Sequence, residues 1–146
     1  RENRWRQVTP VHAAVCERQQ EVVIDNPASD IMSRIAAAGD GLRVPGHTLD
    51  DILQTYGVNE VDFVKMNIEG AERSAIRGME QSLPRIRRLC ISCHDFLADA
   101  GGSDALRTKR EVTDYIRDHG FRIVPRDADP RPYIRDQVNA INERFV

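Results

Sequence analysis

Short apolar runs alternate with amphipathic stretches from residue 48 to the end of the chain. Four runs have the length and apolar content of strands, at residues 61–68, 89–93, 121–124 and 138–142. Helical spacing of apolar residues and matching start and stop signals predict helices from Thr48 to Gly57, from the 69–72 turn to Pro84, and over 105–119. Alternating strands and helices predict an α/β fold with a mostly parallel sheet, and the last two strands predict a C-terminal antiparallel hairpin.

The first third of the chain carries weaker signals. Apolar runs predict a strand at residues 8–15, a second one at 21–24 and a short edge strand at 42–44. Between them, residues 29–37 have weak helical spacing that the glycines at 39 and 41 interrupt.

Composition limits the class of protein. A chain of 146 residues with 30% charged and 40% apolar residues suits one globular domain. A formal net charge of −2 argues against nucleic acid as a partner, and no apolar run approaches the ~20 residues that cross a bilayer. With no apolar signal segment, we expect a cytoplasmic protein. The three cysteines do not form a disulfide framework, and Cys90 and Cys93, three apart on a predicted strand, favour inert thiols.

Polar side chains follow two neighbouring predicted strands, where ligands collect in an open α/β sheet. Asn67 and Glu69 come after the strand at 61–68, and His94 and Asp95 come after the strand at 89–93. A histidine that titrates near neutral pH is a candidate general base, and Asp95 is a candidate for orienting it.

Simpler interpretations stay open for the same residues. Glu69 and Glu72 could serve only the helix that follows them, and His94 could be a loop residue that ends its strand. A metal bound by Asn67, Glu69, His94 and Asp95 is a weaker alternative, because nothing in the spacing specifies one.

Two segments are specific in combination. Residues 47–53 read HTLDDIL, and residues 61–72 read VDFVKMNIEGAE, followed by Arg77-Gly78. This series resembles the FkbM family of methyltransferases, in which a T-L-D-D segment precedes a strand ending in E-G-A-E and a helix with R-G. The resemblance covers most of the chain from about residue 8 and implies S-adenosylmethionine as the cofactor. It also implies a partial Rossmann-like class I methyltransferase fold, with residues 1–146 as the C-terminal part of a single domain.

The resemblance assigns roles to the candidate residues. Ala13 and Ala14, at the end of the third strand of such a fold, would border the adenine, and Asn67 would lie near the transferred methyl group. Glu69, His94 and Asp95 are then the catalytic candidates, with His94 deprotonating the acceptor, and no metal is assigned. The acceptor would be a hydroxyl on a small molecule or glycan: a sugar, a glycolipid or a secondary metabolite. Homo-oligomerisation is left open.

The sequence departs from the family pattern in two ways. Asn67 stands where many members have aspartate, and the glycine-rich D-x-G-A-N-x-G motif has no counterpart. In the implied strand order, 3-2-1-4-5-7-6, the first two strands would be missing, which leaves the strand at 8–15 without a partner and the edge of the strand at 61–68 bare. We therefore expect a further ~60–100 N-terminal residues in the natural protein and an inactive fragment without them.

Two alternatives to a methyltransferase remain. The lack of a glycine-rich loop also fits a non-catalytic or degenerate methyltransferase-like binding module. Another nucleotide-using α/β enzyme, such as a dehydrogenase, is disfavoured by the final pair of strands.

Overall fold

The computed structural model describes residues 7–25, 34–36 and 41–146, which form two four-stranded sheets. The first sheet has the order β1-β4-β2-β3, with β1 parallel to β4 and the other two pairs antiparallel. Its strands are β1 (Ala14–Val15), β2 (Gln20–Asp25), β3 (Arg34–Ala36) and β4 (Leu42–His47).

The second sheet has the order β5-β6-β8-β7. Only β5 and β6 are parallel, with Met66 opposite Ile91, and β8 pairs antiparallel with both β6 and β7. The strands are β5 (Val61–Met66), β6 (Ile86–Ser92), β7 (Phe121–Ile123) and β8 (Gln137–Asn142).

In the ranges that the structure describes, five α-helices connect the strands, and local capping explains where the first of them begins. The hydroxyl of Thr48 accepts a hydrogen bond from the amide of Asp51 at 2.9 Å, as the predicted N-cap requires. None of the helices in the described ranges is long and apolar enough to cross a membrane. The helices are α1 (Leu49–Thr55), α2 (Glu72–Arg77), α3 (Asp95–Asp99), α4 (Lys109–Asp118) and α5 (Pro132–Arg135).

The main hydrophobic core lies between the second sheet and the helices α2 and α4. Each of these three elements contributes an isoleucine that is at most 1% exposed: Ile91 from the sheet, Ile76 from α2 and Ile116 from α4. A second, smaller cluster of buried side chains packs against the first sheet and consists of Cys16, Val22 and Val44.

The end of β1 is packed against α2. The amide of Glu17 donates to the hydroxyl of Ser74 at 3.0 Å. A Cβ added to Gly78 would lie 2.1 Å from the carbonyl oxygen of Cys16, so a side chain at position 78 would clash with backbone. The glycine of the Arg77-Gly78 motif therefore allows close contact between the first sheet and α2.

The α/β class and the antiparallel pairing of the last two strands are confirmed. The prediction of a mostly parallel sheet is wrong, because each sheet contains one parallel pair and two antiparallel pairs. The antiparallel strands β2 and β8 lie inside their sheets. The partner of a strand depends on contacts between segments distant in sequence, and an apolar run alone does not predict them.

Three predictions for the first third of the chain are also corrected. The strand at 8–15 shortens to β1, and it does have a partner, since Ala14 and Val15 pair with Gly46 and His47. The edge strand at 42–44 is instead β4, which runs to His47 between β1 and β2. Residues 34–36 of the predicted helix form β3 because they pair with β2, and the rest of that helix falls outside the described residues.

The bare edge predicted for the strand at 61–68 is present in the described part of the chain. There β5 pairs with β6 on one side only, and Phe63 is 55% exposed. An unpaired edge with an exposed aromatic side chain is a surface that proteins normally cover.

Asp50, in the T-L-D-D segment, accepts hydrogen bonds from the turn that follows α2. Its carboxylate accepts from the amides of Gln81 at 2.9 Å and Ser82 at 2.8 Å, and also from the Ser82 hydroxyl. Ser82 is fully buried, so its amide and its hydroxyl have no access to water as an alternative.

Replacing Asp50 by alanine should therefore lower the free energy of unfolding by about 1–3 kcal/mol, because a buried amide and a buried hydroxyl lose their acceptor. Urea denaturation measures this. Asp62→Ala, at a side chain that is 94% exposed, is the matched control and should change the stability by less than about 0.5 kcal/mol. Equal effects of the two substitutions would contradict the role of Asp50.

Candidate active site

The candidate residues of the two strand ends meet in space. Because β5 and β6 run parallel, their carboxyl ends lie at the same edge of the second sheet. The chain leaves β5 towards Glu69 and leaves β6 towards His94. The Nε2 atom of His94 lies 3.2 Å from Oε1 of Glu69, and both side chains are largely buried.

A third residue, Glu72, completes this cluster. Its Oε1 lies 3.5 Å from Nδ1 of His94, a charged contact longer than a good hydrogen bond. Its carboxylate also accepts from the amide of Gly70 at 3.0 Å and from the hydroxyl of Thr108 at 3.2 Å. Glu72 is fully buried, and the sequence assigned it only to the start of a helix. The sequence feature that could have indicated this role is a second acidic residue three positions after Glu69.

The turn between β5 and α2 has an unusual backbone. Glu69 has a φ of +51°, the one positive φ of a non-glycine residue in the described ranges, and Gly70 follows with a φ of +100°. A left-handed conformation at a non-glycine residue costs about 1–2 kcal/mol, and such strained residues cluster at functional sites. This turn lets Glu69 and Glu72 reach the two nitrogens of one imidazole.

The contacts shift the pKa values of His94 and Glu72 in opposite directions. Interaction with Glu72 raises the pKa of His94 above its ordinary value, with further help from Glu69, and outweighs burial and the nearby Lys65. For Glu72, burial is the largest single influence and acts to raise the pKa. The contacts with His94 and with backbone amides together outweigh it, so the pKa of Glu72 lies below its usual value. Both shifts favour the ion pair.

Asp95 lies beside His94 in sequence but serves another element. Its Oδ1 accepts from the amides of Thr108 and Lys109, each at 3.0 Å, and so satisfies the start of α4. The carboxylates nearest to the imidazole are those of Glu69 and Glu72.

A cavity of about 350 Å³ adjoins the cluster. Among the predicted site residues, Glu69 lines it, whereas Ala13, Ala14, Asn67 and His94 do not. Asn67 is exposed just before Glu69, and the two alanines are half-buried at β1. The residues lining the cavity come from the end of β1, the turn into α2 and the segment before α4: Cys16, Gln20, Glu69, Gly70, Ala71, Ser74, Ser103, Ala105 and Leu106.

Cys16 and Gln20, which follow β1, line this cavity, whereas the predicted adenine contacts Ala13 and Ala14 do not. The strand β1 ends at Val15, and the residues beyond that end face the cavity. The sequence pattern extended the apolar run to Val15, but it did not indicate which residues after it would turn towards the second sheet.

Two other types of site find no support in the geometry. Within the described ranges, no three or more His, Cys, Asp or Glu side chains are placed to hold a metal ion. Cys93 is buried, which raises the pKa of its thiol to about 12, so it stays protonated and unreactive near neutral pH.

Comparison with known proteins identifies the family. The model of the methyltransferase FkbM domain matches residues 11–123. The chain belongs to the FkbM methyltransferase family. The FkbM motifs at 47–53 and 61–72 thus correspond to α1, with its Thr48 cap, and to the β5–α2 segment that carries Glu69 and Glu72.

Two curated relatives are similar over about 100 residues. One is the AMB antimetabolite synthetase AmbE of Pseudomonas aeruginosa, 27% identical over 70% of this chain and 5% of the relative. The other is the 31-O-demethyl-FK506 methyltransferase FkbM of Streptomyces tacrolimicus, 26% identical over 68% of this chain and 35% of the relative. The chain thus spans about a third of one relative and a small part of the other. No solved structure matches significantly.

Asp95→Ala separates helix capping from a role in orienting His94. We expect the free energy of unfolding to fall by about 0.5–2 kcal/mol, the usual effect of losing a helix cap, because two amides of α4 lose their acceptor. The pKa of His94, followed by NMR, should stay raised. Asp99→Ala, in the same short helix and 68% exposed, is the control for stability. A return of the His94 pKa to its ordinary value of 6.5 would show instead that Asp95 acts on the imidazole.

Proposed function

We propose that the protein is an S-adenosylmethionine-dependent methyltransferase that acts in the cytoplasm on a hydroxyl oxygen of a sugar, a glycolipid or a secondary metabolite. The observation that carries the proposal is the cluster of Glu69, His94 and Glu72 beside a cavity at the carboxyl ends of β5 and β6, in a chain of the FkbM family. Parallel strand ends are where such folds bind their ligands.

The topology of the second sheet supports this fold assignment. Its order, β5-β6-β8-β7, corresponds to the 4-5-7-6 part of the strand order that the class I fold implies, with an antiparallel strand in the same place. The free side of β5 is then where another strand of the domain would pair. We propose that residues 1–146 are the C-terminal part of a single methyltransferase domain, in line with the 35% of the FkbM relative that they span.

The residues around the cavity fit one side of the cofactor. Glu69 would place a carboxylate near a sulfonium cation, and Cys16 and Gln20, beyond β1, would border the adenine close to the predicted Ala13 and Ala14. The cavity, at about 350 Å³, is at the lower end of the volumes of ligand sites, so polypeptide outside the described residues would supply the other contacts. S-adenosylmethionine, when bound, supplies an electrophilic methyl group that an oxygen can accept.

The acceptor class rests on the family and on one relative. The 31-O-demethyl-FK506 methyltransferase is named for an O-demethyl compound, which favours oxygen as the atom methylated. The exposed amide of Asn67 and the carboxylate of Glu69 would then face the acceptor and position its hydroxyl for in-line transfer.

A second candidate function is a degenerate, non-catalytic binding module. The sequence feature that favours it is the lack of the glycine-rich motif that normally contacts the cofactor. A methyltransferase binds S-adenosylhomocysteine, the product of its cofactor, whereas such a module has no need to.

Calorimetry with S-adenosylhomocysteine tests the proposal. The gene product with its flanking residues should bind with a dissociation constant on the order of micromolar, and the 146-residue chain alone should bind far more weakly, because it offers one side of the site. A panel of hydroxyl compounds with S-adenosylmethionine labelled at the methyl group would then identify the acceptor. Lack of binding to the complete gene product would favour the non-catalytic module, and a nicotinamide requirement in the screen would favour a dehydrogenase.

A further inference from the structure

We infer that Glu69, and not His94, takes the proton of the acceptor hydroxyl, and that Glu72 is a positioning residue that keeps His94 as an imidazolium between two carboxylates. The inference rests on the proposed function, and it changes which member of the cluster acts on the substrate. Glu72 thereby gains a role in catalysis without contacting the substrate.

A carboxylate lies near each of the two ring nitrogens of His94, and this decides how many protons the ring carries. Nε2 of His94 lies 3.2 Å from Glu69 and Nδ1 lies 3.5 Å from Glu72. A neutral imidazole has one N–H and one lone pair, so one of its nitrogens would face a carboxylate with a lone pair. The doubly protonated ring directs an N–H towards each carboxylate: Nε2 is within hydrogen-bond distance of Glu69, whereas Nδ1 makes no hydrogen bond among the described residues and is in charged contact with Glu72. A carboxylate within 4 Å of each nitrogen favours the positive ring further. An imidazolium has no lone pair with which to accept another proton.

Glu72 is the fixed partner in this arrangement. It is fully buried, and the Gly70 amide and the Thr108 hydroxyl hold it in place. A buried carboxylate needs a counter-charge, and His94 is the cationic side chain in contact with it in the described cluster.

The other charged groups near His94 do not replace this pairing. Lys65 opposes a positive charge on the ring, but its ammonium donates to the carbonyl of Met66 at 3.0 Å and to the hydroxyl of Ser92. The carboxylate of Asp95 accepts hydrogen bonds from the first amides of α4. Asp136 accepts from the amide of Phe96 at 2.6 Å. Glu69 and Glu72 therefore set the charge of the imidazole.

Glu69 is the member of the cluster that reaches the cavity. It lines the cavity wall, whereas His94 and Glu72 are buried and are not among the lining residues. Its Oε1 is engaged with His94, and its Oε2 is buried without a hydrogen-bond partner among the described residues. A buried carboxylate oxygen without a donor is costly, and the hydroxyl of an acceptor would satisfy it.

The proton and the charges balance in this scheme. As the acceptor oxygen would form its bond to the methyl carbon, the carbon–sulfur bond would break and its electron pair would stay on sulfur, which leaves neutral S-adenosylhomocysteine. The O–H bond would break as well, and its proton would pass to Oε2 of Glu69, which becomes a neutral carboxylic acid. His94 keeps both of its protons, and Glu72 keeps its negative charge. Glu69 returns its proton to water after the product leaves.

NMR of the chain labelled with ¹⁵N-histidine tests the inference without an acceptor. At pH 7 both ring nitrogens of His94 should show the shifts of an imidazolium. In Glu72→Gln the proton affinity of His94 should fall at least about tenfold, or about one pKa unit. Glu72→Asp, which keeps the charge, should restore most of that affinity, and Glu69→Gln should lower it by less than Glu72→Gln does.

Glu80→Gln is the matched control, because it makes the same change at an exposed position just beyond α2 and should leave His94 unaffected. A neutral His94 at pH 7 in the wild-type chain would overturn the inference, and this measurement needs no variant to fold. An unchanged His94 in a folded Glu72→Gln variant would overturn the role of Glu72.

Failure here is separable from failure of the proposed function. A gene product that binds S-adenosylhomocysteine but has a neutral His94 remains a methyltransferase, with the imidazole as its base. A charged His94 in a gene product without cofactor binding would leave the buried ion pair in place and remove the reaction it serves.

Discussion

A buried carboxylate joins the segments from which the candidate site is built. Glu72 is fully buried, and it contacts the turn after β5 through Gly70, the start of α4 through Thr108, and the end of β6 through His94. A charge in the interior is tolerated only with a partner and hydrogen bonds. The need to satisfy this one carboxylate therefore sets the positions of three elements relative to each other, and it also sets the charge of the histidine.

The strained backbone of the β5–α2 turn brings two acidic side chains to one imidazole. Glu69 adopts a left-handed backbone conformation, and Gly70 follows it with a positive φ. As a result, two acids three residues apart reach opposite nitrogens of the same imidazole. Glu69 then stands between the buried ion pair and the cavity, where a hydroxyl acceptor would approach it. In the described part of the chain, the unpaired edge of β5 belongs to the same sheet.

Local patterns predicted part of this structure. The Thr48 cap, the strands β5 and β6 and the meeting of Glu69 with His94 followed from the sequence, because parallel strands joined by a helix bring their carboxyl ends together. The inward position of Glu72 did not follow, because it depends on the left-handed turn. Nor did the use of Asp95 to cap a helix 13 residues later or the place of β4 inside its sheet, since these depend on contacts between distant segments.

The pH dependence of the stability lost in Glu72→Gln tests the buried ion pair most directly. The pKa of Glu72 is lowered from 4.5, so its stabilising effect is present above that pH and is lost as the pH falls through its folded pKa. The pKa of His94 is raised from 6.5, so its effect is present below that pH and is lost as the pH rises through its folded pKa. Urea denaturation should therefore show the largest difference between wild type and Glu72→Gln between about pH 4.5 and 6.5, and a smaller one on both sides. A difference that stays equally large well below pH 4.5 and well above pH 6.5 would contradict the ion pair.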